Sequence, residues 1–313
     1  MIEFSQVSRL AFGCDPLGGH NWGSVDPAAI ADAIPHAVDQ GVTLFDTADC
    51  YGNGLSEERL GQALGNRRNR VIVASKFGVR IGDDGKVFID NDPAWISQAV
   101  EASLKRLGTD VIDLYQLHWW DGRTPFAEIF GALERLVEAG KIRAFGSTNV
   151  SLEMMKLNGA DELPALYRSS SMEFSLVHGA HRAAIEAMCG GGAAAPLFLA
   201  WGSLGGGILT GKYSSPSDLD PTDRRLKRAD SHFRGDRLAD NLAIVATCRE
   251  IAARHGANAK VSQVALQWIG RTLGFGTCLV GIKSRAQLDD ALASWDFDLK
   301  DEDMRALDQA AHR

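Results

Sequence analysis

Eight short apolar runs, each followed by a stretch of helical periodicity, constrain this chain more than any other feature. The runs lie at 8–13, 42–47, 70–76, 111–119, 142–149, 170–177, 195–204 and 276–282. Most are continuously apolar rather than alternating. Strands buried on both faces look like that, and parallel sheets bury both faces. Between the runs, apolar residues recur at helical spacing. In 93–108, for example, Ile96, Ala99, Val100, Ser103, Leu104 and Leu107 form one face. Proline opens the helix expected at 27–41, and Pro35 inside it is expected to kink it. Ser56 is expected to cap the helix at 56–65. Eight βα units in 313 residues predict an α/β chain folded as one (β/α)8 barrel over 1–313. A doubly wound sheet is the structural rival. The longest irregular stretch, 214–237, is expected to be a mobile loop.

Composition narrows the partners. A net charge of −7 argues against nucleic acid, which a basic face would accompany. The five cysteines, Cys14, Cys50, Cys189, Cys248 and Cys278, contain no C-x-x-C pair, so disulfide and zinc frameworks have little support. No basic leader precedes an apolar run at the start, and no run reaches membrane-spanning length. A cytoplasmic protein with no membrane partner is expected. The oligomeric state is not legible.

Chemistry in a barrel sits where the strands end at their C-termini. The second run ends in Asp46, with Tyr51 in the loop beyond it. The third ends in Lys76, the fourth in His118, and the fifth in Thr148 and Asn149. Glu173 lies in the sixth and Trp201 in the seventh. Singly, these have ordinary readings: a cap, a surface lysine, a core histidine. Together they suit one task. A phenol has a pKa near 10; a nearby ammonium stabilises its phenolate and lowers that value. A carboxylate holds the ammonium in place, and an imidazole orients a carbonyl oxygen. That set suits protonation of a carbonyl oxygen as hydride reaches the carbon. Cys50 beside Tyr51 lacks a base at a recognisable spacing and reads as a packed small residue. His178 and His181 are three apart, but no third ligand is in view, so no metal is expected.

The motifs FDTA-x-x-YG, SE-x-x-LG, ASKFG, DLYQLHW, RAFGSTN and GGGILTGKY occur in this order. On them the chain resembles an aldo-keto reductase over nearly its whole length. The resemblance implies a (β/α)8 barrel that uses NADPH/NADP+ and acts on a small-molecule carbonyl substrate. It implies Tyr51 as the general acid in reduction, tuned by Lys76 and Asp46, with His118 orienting the substrate. Thr148 and Asn149 resemble the pair that holds the nicotinamide carboxamide, with Glu173 beside them and Trp201 stacked on the ring. Ser203, Leu204, Gly205, Gly207 and Lys212 resemble the pyrophosphate-side loop. Lys283, Ser284 and Arg285 open the last barrel helix, where cations and a helix N-terminus suit a 2′-phosphate. Gln287 and Asp290 resemble adenosine-side residues.

The sequence departs from the family pattern at Glu173, where glutamine is usual, and at Ala291, where asparagine is usual. A carboxylate only accepts hydrogen bonds, so one nicotinamide contact is in question. Trp22, Trp119 and Trp120 are candidate substrate walls, pointing toward a sugar or nucleotide-sugar carbonyl. Two alternatives stay open: an aldose dehydrogenase running in the oxidative direction, and a non-catalytic cofactor-sensing subunit. The latter would carry an extended N-terminal segment, whereas this chain reaches its first run within about ten residues.

Overall fold

All eight runs become strands of one closed parallel barrel, which excludes the doubly wound alternative. The structure is a computed structural model and describes residues 6–20, 22–82, 85–228 and 231–311. The barrel strands are β1 (Leu10–Gly13), β2 (Leu44–Asp46), β3 (Ile72–Phe77), β6 (Ile112–Leu117), β7 (Ile142–Thr148), β8 (Tyr167–Glu173), β9 (Leu197–Trp201) and β10 (Thr277–Gly281). Each pairs in parallel with its neighbours, and β10 closes the ring onto β1. An antiparallel hairpin, β4 (Val79–Ile81) with β5 (Val87–Ile89), stands outside the ring. Its arms are three residues each, too short to carry a readable period in the sequence.

Helices α1 (Pro27–Asp39), α2 (Leu55–Leu64), α3 (Pro93–Leu107), α4 (Phe126–Glu138), α5 (Leu152–Leu157) and α6 (Arg182–Cys189) follow in order. Then come α7 (Gly235–Arg254), α8 (Val261–Leu273), α9 (Arg285–Leu292) and α10 (Asp301–Ala311). Their starts follow local chemistry. Asp26 and Asp92 accept backbone N–H groups of Ala28 and Ala94, and each is followed by a helix-opening proline. The helix α1 runs through Pro35 to Asp39.

Ser56 departs from its expected role. The cap of α2 is Gly54, and Ser56 lies buried inside the first turn. Its hydroxyl donates to the Cys14 carbonyl at 2.7 Å and accepts from Thr47 at 2.9 Å. It thereby ties the ends of β1 and β2 together, a tertiary demand that overrode the local capping preference. The 214–237 stretch holds short 3-10 turns at Pro216–Asp218 and Arg224–Leu226. Residues 229 and 230 lie outside the described residues.

Candidate active site

Alternation along each strand decides what reaches the cavity. Ala11, Leu44, Ile72, Ala74, Leu114, Ala144, Leu199 and Leu279 pack together inside the barrel as a buried apolar plug. Counting forward in steps of two keeps each strand on the same face. Leu44 leads to Asp46, Ala74 to Lys76, Leu114 to His118, Ala144 to Thr148, and Leu199 to Trp201. All five of these line a cavity of about 760 Å³ at the C-terminal end of the barrel. Parity thus aims the strand-end residues inward.

The Lys76 ammonium is buried and donates to Asp46 Oδ1 at 2.6 Å and to the Thr47 carbonyl at 2.8 Å. It lies 5.1 Å from the centre of the Tyr51 ring. The Tyr51 and His118 rings meet edge to face, with centroids 5.9 Å apart. Two glycines hold Tyr51 in this corner. Gly52 has φ +61°, and a Cβ there would lie 2.3 Å from the Gly18 carbonyl oxygen. A Cβ on Gly18 would lie 2.7 Å from the Gly52 nitrogen. Only two bare backbones allow this approach.

The electrostatics revise one expectation. Burial pushes the Tyr51 phenol well above its ordinary value, and the Asp46 carboxylate adds to the rise. The Arg224 charge acts in the opposite direction without offsetting the rise. The Tyr51 phenol therefore stays protonated at rest. Burial, helped by the Lys76 charge, holds the His118 imidazole well below its usual value, so it is neutral near pH 7.

Asp49 and Cys50 adjoin this corner, and Cys50 lines the cavity. The Cys50 sulfur is 3.6 Å from His118 Nδ1, and Asp49, Cys50 and His118 bring donor atoms within 4.8 Å of one another. Burial pushes the thiol up to about 12 and the Asp49 carboxyl up to about 8. Both are protonated at neutral pH and suit a cation poorly. The raised Asp49 value has a consequence for stability. The folded protein binds that proton more tightly than the unfolded chain does. Its stabilising contribution is complete below about pH 4 and is lost as pH rises toward about 8. Asp49→Asn should therefore flatten the fall in stability across that window and exceed the parent above it. Denaturant titrations at pH 5 and pH 9 check this, and identical pH slopes for the two proteins would refute it.

Several cofactor-side residues expected from sequence converge on the same cavity. Thr148, Asn149, Glu173, Trp201, Ser203, Leu204, Gly205, Gly207, Lys212, Lys283, Gln287 and Asp290 all line it. The Trp201 indole donates to Asn149 Oδ1 at 3.0 Å. The Thr148 hydroxyl is buried with no hydrogen-bond partner. Glu173 Oε1 lies 3.2 Å from His232 Nε2.

Other placements depart from expectation. Ser284 and Arg285 are not among the lining residues. Ser284 caps α9 by accepting from the Gln287 N–H, and the exposed Arg285 pairs with Asp32 at 2.6 Å. Trp120 does not line the cavity; it stacks on Phe126 and donates to the Thr124 carbonyl. Trp22 does line it, but cations lie over its ring: Arg224 at 4.4 Å, Arg225 at 5.4 Å and Lys283 at 5.7 Å. Trp119 lines the cavity and stacks beside His118.

Sequence reasoning missed Asp15, Lys260, Arg224, Arg225 and His232, all lining residues. Asp15 follows a strand end and was open to the same rule. Arg224 and Arg225 sit in the basic run of the long loop. There Arg224 pairs with Asp15, and Arg225 pairs with Asp223 while donating to the Gly206 carbonyl at 2.6 Å.

The family model for the aldo/keto reductase family matches residues 9–312. The chain belongs to that family, whose members are oxidoreductases. Aldo-keto reductase YhdN of Bacillus subtilis is 33% identical over 308 residues, covering 95% of this chain and 88% of that protein. Aldo-keto reductase yakc [NADP(+)] of Schizosaccharomyces pombe is 33% identical over 267 residues, covering 84% of this chain and 76% of its own. Among solved structures, the glycerol dehydrogenase AKR11B4 from Gluconobacter oxydans superposes with a TM-score of 0.84 at 32% identity, covering 97% of this chain and 91% of that one. No helix among the described residues is long and apolar enough to cross a membrane.

Proposed function

We propose that the protein is an NADP(H)-dependent oxidoreductase that interconverts a small carbonyl compound and its alcohol, with Tyr51 as the proton-transferring group. The observation that carries this is the convergence of Tyr51, the Lys76–Asp46 pair and neutral His118 on one cavity that is also lined by the cations Lys212, Arg225 and Lys283. The residues fit the cofactor. The unpartnered Thr148 hydroxyl suits a carboxamide, and the Trp201 face suits the ring. The Gly205–Gly207 turn, all at positive φ, lets backbone approach a pyrophosphate. When bound, the nicotinamide supplies or accepts the hydride.

The chain's own residues do the rest. Neutral His118 donates to the carbonyl oxygen and fixes its position. Tyr51 gives that oxygen its proton in reduction and removes it in oxidation. Lys76, held by Asp46, lies close enough to the ring to stabilise the phenolate as it forms. The likeness to yakc, whose name carries NADP(+), supports the cofactor.

Lys283 lines the cavity and donates to the Trp22 carbonyl, whereas Arg285 is turned to Asp32. Lys283 is therefore the better partner for a 2′-phosphate. NADPH should bind about 10–100-fold more tightly than NADH, the range of one charge-assisted hydrogen bond. Lys283→Ala should narrow that gap more than Arg285→Ala does. Fluorescence titration with both nucleotides decides it, and equal affinities in the unmutated protein would refute the assignment. For the substrate, Trp119 offers a cavity-facing indole, whereas cations lie over the Trp22 ring and Trp120 is turned to Phe126. Together with the likeness to a glycerol dehydrogenase, it supports a small polyhydroxylated substrate handled in either direction. A substrate panel in which only apolar aldehydes turn over would remove that reading.

A further inference from the structure

We infer that Glu173 discriminates between the two redox states of the nicotinamide, holding the oxidised, cationic ring more tightly than the reduced, neutral one. This rests on the proposed placement of the ring against Trp201 and the Thr148–Asn149 pair. Strand order alone puts Glu173 between them. The ends of β7, β8 and β9 carry Thr148, Glu173 and Trp201, and Glu173 is in register with Trp201. Neighbouring strands are about 4.8 Å apart, so a ring that touches both flanking groups lies beside the acid.

The carboxylate is fixed there. A Cβ on Gly202 would lie 3.1 Å from Glu173 Cγ and 3.2 Å from Oε1, so the glycine leaves the acid its space. His232 lies 3.2 Å from one carboxylate oxygen and His178 lies 3.9 Å from the other. Burial opposes ionisation, but the His232 hydrogen bond and the charges of His178, His232 and Arg228 prevail, holding the carboxyl below its usual value. Lys76, at the reacting corner, is already paired with Asp46.

In carbonyl reduction a hydrogen leaves the ring with its electron pair and bonds to the carbonyl carbon. The carbonyl oxygen takes its proton from Tyr51, and the ring gains one positive charge. A carboxylate beside the ring attracts that charge as it develops; a glutamine amide in the same place would be neutral. Interactions that grow toward the transition state lower its barrier. The same attraction tightens the oxidised cofactor after transfer. The bound couple becomes a stronger hydride donor, and release of the oxidised form slows.

The test is to titrate NADP+ and NADPH separately into the wild-type protein and Glu173→Gln at one pH and salt concentration. The amide keeps the shape and a partner for His232 but removes the charge. The preference for NADP+ over NADPH should fall on the order of tenfold in the variant, equivalent to about 30 mV in the potential of the bound two-electron couple. His232→Ala, which keeps the carboxylate, should stay on the wild-type side. An unchanged ratio in Glu173→Gln, or an equal shift in His232→Ala, would overturn the inference while leaving the cofactor assignment intact. Failure of the wild-type protein to bind either nucleotide would overturn both.

Discussion

Tyr51→Phe should lower kcat by about 10²–10⁴-fold, the range of a general acid–base contribution, while NADPH binding stays close to that of the parent. The phenyl ring keeps the edge-to-face contact with His118 and its place over the Lys76 ammonium. It loses only the hydroxyl. No neighbour supplies the missing proton: His118 is held neutral by burial, and Lys76 is bound to Asp46 and the Thr47 carbonyl. Steady-state kinetics beside a nucleotide titration separates the two effects. A variant with full turnover would eliminate Tyr51 as the proton donor.

Lys76→Met should destabilise the fold by about 3–5 kcal/mol, because it strands the Asp46 carboxylate without its partner inside the barrel. Asp46→Asn should cost a similar amount by stranding the ammonium. The double variant Asp46→Asn/Lys76→Met should recover much of the loss, since it leaves no buried charge unpaired. Turnover should stay low in all three, because Lys76→Met and the double variant remove the cation that stabilises the phenolate, and Asp46→Asn removes the carboxylate that holds it in place. Urea midpoints and kcat measured on the same preparations test both halves. A double variant no more stable than the single ones would contradict the buried-pair account. A fully active one would contradict the catalytic role.

Much of this architecture is legible in local sequence. Continuous apolar runs mark the strands, and step-of-two counting from Leu44 or Ala74 carries the reader to Asp46 and Lys76. The corner holding Asp46, Lys76 and His118 is readable because strand ends and inward parity are short-range properties. What was misread depends on partners far along the chain. Ser56 looks like a cap until Cys14 and Thr47 engage its hydroxyl. Arg285 looks like a phosphate ligand until Asp32, 253 residues away in sequence, pairs with it. Trp119 and Trp120 are indistinguishable as a dipeptide, but Phe126 and the Thr124 carbonyl hold the second one away from the cavity.

By itself, then, the sequence determined the barrel and pointed to the four residues that the proposed mechanism uses. Periodicity and strand-end position are fixed by the chain's own stereochemistry. The tertiary structure decided which cations and indoles face the cavity, that Tyr51 rests protonated, and that Glu173 is held between the strands flanking the proposed ring site. Those outcomes follow from burial and from competition among charges that only the closed barrel brings together.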